Sequence, residues 1–254
     1  MQSRPVPAPS PPTFSTDRTA RLREMENSHF WFVGRRRLVE RLMSRHVRVG
    51  STILDVGCGT ASLAERVAAG RHRVLGLDLN SEGLKSSRPS SPQLLRVQGD
   101  AAHLPVRPGS FDAALALDVL EHVDDRSVLA EIRDALVPNG IVLLTVPALP
   151  WLWSHRDDAA GHLRRYRRRA LLHQLAESGF EIVESRFYQF LLLPLLAATR
   201  LAGRSGPTVR DLEDRPGRTA NLLLTRISLI DVHLGSVISW PIGSSLAVVC
   251  RKSP

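Results

Sequence analysis

Between residues 51 and 147 short apolar runs alternate with segments patterned for helix, and an acid stands at or near the end of each of the first three runs. "STILDVGCGT" places Asp55 just before a turn, Gly57-Cys58-Gly59. "VLGLDLN" carries Asp78 and "QLLRVQGD" ends on Asp100. Short apolar runs bounded by turn residues read as buried strands. "FDAALALD" and "GIVLLTVP" read as two more, while "ASLAERVAA" and "NSEGLKSS" read as helices. In "DRSVLAEIRDALVP" the residues Val128, Leu129, Ile132, Leu136 and Val137 form one stripe, as on an amphipathic helix. Strands alternating with helices predict an α/β domain whose parallel sheet is covered on both faces. Such sheets bind ligands outside the carboxyl ends of their strands, where these acids fall.

The flanking segments set the expected boundaries. Residues 1–20 are rich in Pro and Ser, have no apolar core of signal-peptide type, and are expected to form a disordered tail. Residues 21–254 are expected to form one domain, with a cap helix over 21–48 that carries the aromatic knot "HFWF". "RRALLHQLAESGFEIVESRFYQF" predicts a helix, a stop at Gly179 and a strand, and "SSLAVVCRK" a last strand. Residues 191–243 break the rhythm and read as a helical insertion. The apolar run Phe190 to Ala198 is far short of the roughly 20 residues a membrane span needs.

Net charge is +9, yet all but two of the 34 basic residues are Arg, the exceptions being Lys85 and Lys252. That bias fits a GC-rich genome and speaks only to non-specific attraction. Cys58 and Cys250 have no metal spacing and suggest a reducing, cytoplasmic location.

The turn allows close approach of a ligand to the backbone at a helix N-terminus. A dinucleotide fingerprint wants a third glycine where this chain has Ser62. Asp55 can receive an ammonium, Asp78 the two hydroxyls of a ribose, and Asp100 an exocyclic amine. Together "ILDVGCGTA", "VLGLDLN", "QGDAAHLP", "FDAALALDVLEHV" and "LVPNGIVLLTVP" resemble the successive motifs of class I S-adenosylmethionine-dependent methyltransferases. The resemblance implies a seven-stranded, Rossmann-like sheet with the last strand antiparallel. It implies that Asp55, Gly57, Cys58 and Gly59 surround the methionine part of the cofactor, Asp78 and Leu79 the ribose, and Asp100 with Ala101 the adenine. Asp118 is then expected near the sulfonium. Trp31 or Phe32 is a candidate to roof the substrate, with Trp31 preferred, and Arg35 or Arg36 to meet the cofactor carboxylate, with Arg36 preferred.

The stretch "WLWSHRDDAAGHLRRY", Trp151 to Tyr166, follows the fifth strand and so lies beside the methyl donor. His155 and His162 are candidate general bases, oriented by Asp157 or Asp158, with Asp158 preferred; Trp151 and Tyr166 are candidate substrate contacts. "DVLEH" resembles the metal-holding E-x-x-E-H of some ubiquinone-pathway O-methyltransferases and small-RNA methyltransferases. No metal is expected to be required, and the alternative ligand set is Asp118, Glu121, His122 and His162. In a third reading the Arg164–Arg169 run is solvated, caps a helix or holds an anion.

The resulting expectation is methyl transfer to a small molecule, O-methylation first, with a secondary metabolite, isoprenoid or lipid-like acceptor. Contact with a membrane surface is admitted by the apolar run, and a nucleic-acid partner is not expected because the Asn/Asp-Pro-Pro-Tyr motif is missing after the fourth strand. An RNA methyltransferase, or a relative that keeps the cofactor without transferring methyl, are the alternatives.

Overall fold

The computed structural model describes residues 16–86, 91–202 and 216–253. Its centre is a seven-stranded sheet in the order β3-β2-β1-β4-β5-β7-β6. The strands are β1 (Thr52–Val56), β2 (Arg73–Asp78), β3 (Leu94–Gln98), β4 (Phe111–Leu117), β5 (Leu136–Pro147), β6 (Phe180–Tyr188) and β7 (Ser245–Lys252). The first five are parallel, and β7 enters antiparallel between β5 and β6. This is the sheet that the motifs imply.

Helices α3 (Ser62–Ala69), α4 (Ser81–Lys85), α5 (Asp125–Ala135), α6 (His155–Ala160) and α7 (Arg168–Glu177) link the strands. One apolar layer joins Val128, Leu129 and Ile132 of α5 to Leu144 and Val248 of the sheet. On the other face, Leu38, Val39 and Leu42 of α2 (Phe30–His46) meet Leu115, Leu143 and Val249. Burying a Leu or Val side chain is worth about 1.5–3 kcal/mol, so these two layers supply most of the drive to fold.

Three expectations change. The cap is two helices, α1 (Thr16–Ser28) and α2, so residues 16–20, expected in the tail, are helical; residues 1–15 lie outside the described residues. The break falls at His29, whose ring accepts from the Trp31 amide as an N-cap. Helix α5 stops at Ala135, and Leu136 and Val137 belong to β5, which starts five residues before Ile141 and passes a register shift against β4 between Phe111 and Ala113. The insertion is helical where described, as α8 (Leu193–Ala202) and α9 (Arg218–Gly235). Leu192, Leu193 and Leu196 of the apolar run are buried, and Leu192 and Leu196 pack with Phe30 and Leu224, while Leu191 and Leu195 are exposed.

Candidate functional site

Asp55, near the end of β1, is buried. The chain then turns through Gly57 and Gly59, both at positive φ (68° and 59°), and the Gly57 and Cys58 amides both donate to the Leu77 carbonyl. A Cβ on Gly57 would lie 2.6 Å from a methyl of Val119, so this position admits no side chain as built. Asp78 holds the turn: its carboxylate accepts from the Gly59 amide and from the Asn80 amide, each at 2.8 Å. A carboxylate has about four acceptor sites, so two remain for vicinal hydroxyls.

Sequence reading missed Glu26. It reaches from α1 to the turn, where the Thr60 hydroxyl donates to it. Burial raises its pKa despite Thr60 and Arg35. Burial, with Glu26 and Asp78 nearby, pushes Asp55 up to about 7 against the pull of Arg35. Burial also raises Asp78. Three carboxyl groups thus crowd one glycine turn and favour a cationic guest.

Arg35, not Arg36, is the arginine of the cleft. Its guanidinium donates to Asp118 at 2.5 Å, whereas Arg36 is half-buried and donates to the Glu26 carbonyl. The two differ by one helical step, about 100° around α2, and only Arg35 faces the sheet. Asp118 stands just past β4 at φ 56°, in the left-handed region, fixed by its amide on the Thr145 carbonyl and by the Thr145 hydroxyl on its carboxylate. Such backbone strain in a side-chain-bearing residue costs about 1–3 kcal/mol and clusters at functional sites. Asp100 and Ala101 follow β3 toward the same end of the sheet. The Asp100 carboxylate accepts from the Ala102 amide, lies 3.5 Å from His103 Nδ1 and is half-exposed. Leu79 is half-exposed beside Asp78.

After β5 the chain forms a 3₁₀ turn (Pro150–Leu152) and α6. Here Asp157, not Asp158, bonds a candidate histidine. Asp157 is 1% exposed and accepts from His162 Nδ1 (2.9 Å), Arg165 Nε (2.8 Å), Arg200 (3.2 Å) and the Ser154 amide (2.9 Å). Burial opposes its charge, but His162, Arg165 and Arg200 outweigh burial and hold its pKa down at about 2. Asp158 lies one step round the short helix, exposed, where it accepts from the Trp153 indole. His155 is also exposed, at the start of α6. His162 instead meets His122, with ring centroids 4.8 Å apart, and Glu121.

Glu121 is fully buried, and neither carboxyl oxygen has a hydrogen-bond partner. Burial, then the Asp118 charge, pushes its pKa well above the carboxylate range. One ligand atom from each of Glu121, His122 and His162 falls within 4.8 Å of the others. Asp118, the fourth residue of the alternative metal set, is held away by Arg35 and Thr145.

Two candidate substrate contacts have partners within the fold. The Tyr166 ring is buried, and its hydroxyl donates to the Asp125 carboxylate (2.8 Å) and meets the Leu120 carbonyl (3.1 Å), which ties the β5 loop to α5. Trp31 packs on Phe30, Leu192, Leu196 and Leu224, and staples α2 to α8 and α9. Trp151 is half-exposed on the 3₁₀ turn. In the arginine run, Arg164 pairs with Asp125 and Arg165 with Asp157, while Arg167 and Arg169 are exposed.

Residues 54–144 match the family described as "Methyltransferase domain". A Mycolicibacterium smegmatis protein named "Probable S-adenosylmethionine-dependent methyltransferase" is 27% identical over 164 residues, 63% of each chain. The ubiquinone biosynthesis O-methyltransferase of Chromobacterium violaceum is 34% identical over 113 residues, 41% of this chain and 47% of that one. Among solved structures, the [4+2]-cyclase SpnF superposes with a TM-score of 0.58 at 23% identity, over 86% of this chain and 80% of the other. The matched stretches thus span less than two thirds of the two relatives' own lengths.

Residues 54–144 thus carry a methyltransferase domain, and the relatives and the shared fold support the class I S-adenosylmethionine-dependent methyltransferase superfamily.

The cofactor of that superfamily, S-adenosylmethionine, suits the residues present. Its ammonium and sulfonium are cations, and the turn sits among Asp55, Glu26 and Asp78. Asp78→Ala is expected to weaken cofactor binding about 100-fold, through loss of charge-assisted bonds to the ribose and of the acid that holds the Gly59 amide. Calorimetric titration checks this, and unchanged affinity would remove the ribose assignment.

Proposed function

We propose that the chain transfers the methyl group of S-adenosylmethionine to a small-molecule acceptor, with a hydroxyl as the first choice of nucleophile. The observation that carries this reading is the Asp157–His162 pair beside Glu121, at the carboxyl ends of β4 and β5 and next to Asp118. When bound, the cofactor supplies an electrophilic methyl carbon on a sulfonium leaving group. The chain's task is to align the acceptor in line with that carbon, exclude water and take up one proton. Ionised Asp157 can only accept, so His162 carries its proton on Nδ1 and presents a basic Nε2. Arg35 neutralises Asp118 at the mouth of the cofactor turn. Secondary metabolites, isoprenoids and lipid-like compounds are the acceptor classes we favour.

The orphaned Glu121 favours a second reading of the same cluster, a divalent cation held by Glu121, His122 and His162. The Asp157–His162 bond matches the carboxylate support that metal-bound imidazoles use. A cation there would polarise an acceptor hydroxyl. If it is used, thorough chelation lowers turnover and added Mg²⁺ or Zn²⁺ restores it; activity untouched by chelation removes it.

The test is incubation of the protein with methyl-labelled S-adenosylmethionine and an extract of its host, split into organic, aqueous small-molecule and macromolecular fractions. Label in a small-molecule fraction is expected. Label in RNA or protein overturns the acceptor class. Cofactor binding without label, across fed candidate acceptors, favours a non-methylating role, a reading that the structural likeness to a cyclase keeps in view.

A further inference from the structure

Helix α9 has two unlike sides. Its inner side, with Leu224, Ser228, Asp231 and Val232, is buried. There Asn221 bonds the Phe30 amide and the Ser28 carbonyl, and Asp231 accepts from the Gln189 and Leu191 amides. Its outer side exposes Leu222, Leu223, Leu229, Ile230 and Leu234, and Val237 and Ile238 extend the apolar surface past its end. Leu223 is 59% exposed, Ile230 51% and Val237 85%. At 100° per residue, the five helical side chains fall within an arc of about 140°. Scattered exposed leucines are ordinary, but aliphatics gathered in one arc, here with Arg226 and His233 between them, mark a contact surface. The expected membrane-facing run, Phe190 to Ala198, turns Leu192, Leu193 and Leu196 inward and exposes Leu191 and Leu195; the stripe of α9 is a different surface.

The charges on the same side select the partner. Arg218, Arg226 and His233 are exposed among the aliphatics, and His233 shares a hydrogen bond with Arg41. The one acid of the helix, Asp231, is buried on the other side. A second copy packed about a two-fold axis would bring cations onto cations with no exposed acid of the helix to answer them. A bilayer with anionic headgroups offers phosphate to the guanidinium groups and hydrocarbon to the leucines.

We propose that this outer side of α9 is a membrane-surface contact, lying in the plane of a bilayer that contains anionic lipid. No helix among the described residues is long and apolar enough to cross a membrane, which fits an interfacial helix. The net charge of +9 adds long-range attraction of the same sign. The proposal is independent of methyl transfer, because it is read by sedimentation alone.

The full chain is mixed with vesicles of phosphatidylcholine, with or without phosphatidylglycerol, and sedimented. The expected result is pelleting with the anionic vesicles and not with the neutral ones. Leu223→Glu combined with Ile230→Glu is expected to lower the bound fraction about tenfold or more, by removing apolar contact and adding repulsion. Arg218→Ser with Arg226→Ser is expected to weaken binding and flatten its dependence on salt. All four side chains are exposed, so cofactor affinity in both variants serves as the check on folding. Failure to pellet with anionic vesicles overturns the proposal, as does binding that survives both variants. A wild-type dimer without vesicle binding, dissolved by the glutamate pair, assigns the stripe to self-association instead.

Discussion

Replacing Asp157 with alanine is expected to destabilise the fold by about 3–5 kcal/mol, the range for removing one member of a buried ion-pair network. The acid is 1% exposed and is shared by Arg165 and Arg200, whose side chains are themselves largely buried. Alanine leaves two cations without their common counter-charge and takes the Ser154 cap from α6. The effect should depend on pH in a defined window. The pKa of Asp157 is depressed in the fold, from 3.8 to about 2, so its stabilisation is present above the unfolded value and lost as pH falls toward the folded one. Urea melts of wild type and variant should therefore differ most at neutral pH and converge as pH falls from about 4 to about 2. Equal stability at pH 7 would show that Arg165 and Arg200 are satisfied without the acid. Asp157→Asn, which keeps hydrogen bonds but no charge, is expected to fall between the two.

His162→Ala is expected to lower kcat about 10²–10⁴-fold on a hydroxyl acceptor, the usual share of general acid–base catalysis. Cofactor affinity should stay near wild type, since the Asp55–Asp78 end of the cleft is untouched. A histidine that only props the loop would lower stability and cofactor affinity along with kcat, whereas loss of the base lowers kcat alone. His155→Ala, at an exposed site, is expected to retain turnover. Full turnover in His162→Ala would remove the base assignment.

The sheet was legible because its signals are local and repeated. Five apolar runs at strand length, turns at fixed places and acids at three strand ends define both the order of elements and the edge where ligand binds. What stayed illegible depends on helical phase. Arg35 against Arg36, and Asp157 against Asp158, differ by a single residue, and neighbours on a helix point about 100° apart. Neither pair can be resolved by residue type, since both members carry the same group. Tyr166 and Trp31 misled for another reason: an aromatic ring in a cleft-side loop is as useful for pinning the loop as for holding a substrate. Glu26 was hidden although its segment was read as part of the cap helix, because residue type and spacing do not say which polar side chain of that helix reaches the turn. Helix α5 ran too far in the reading because Leu136 and Val137 continue its stripe, while the β5 ladder claims them.

The place of β7 has a consequence for the order of events during synthesis. Seven of its residues pair with β5, from Ser245 opposite Pro147 to Arg251 opposite Ile141, and its other edge pairs with β6. Neither neighbour can complete its hydrogen bonding until residue 252 has left the ribosome tunnel. Until then the nascent chain holds two unpaired strand edges, both suited to accept a strand from another chain. The arrangement therefore delays closure of the sheet until β7 has emerged, and chaperone demand should be greatest in the interval between synthesis of β6 and docking of β7.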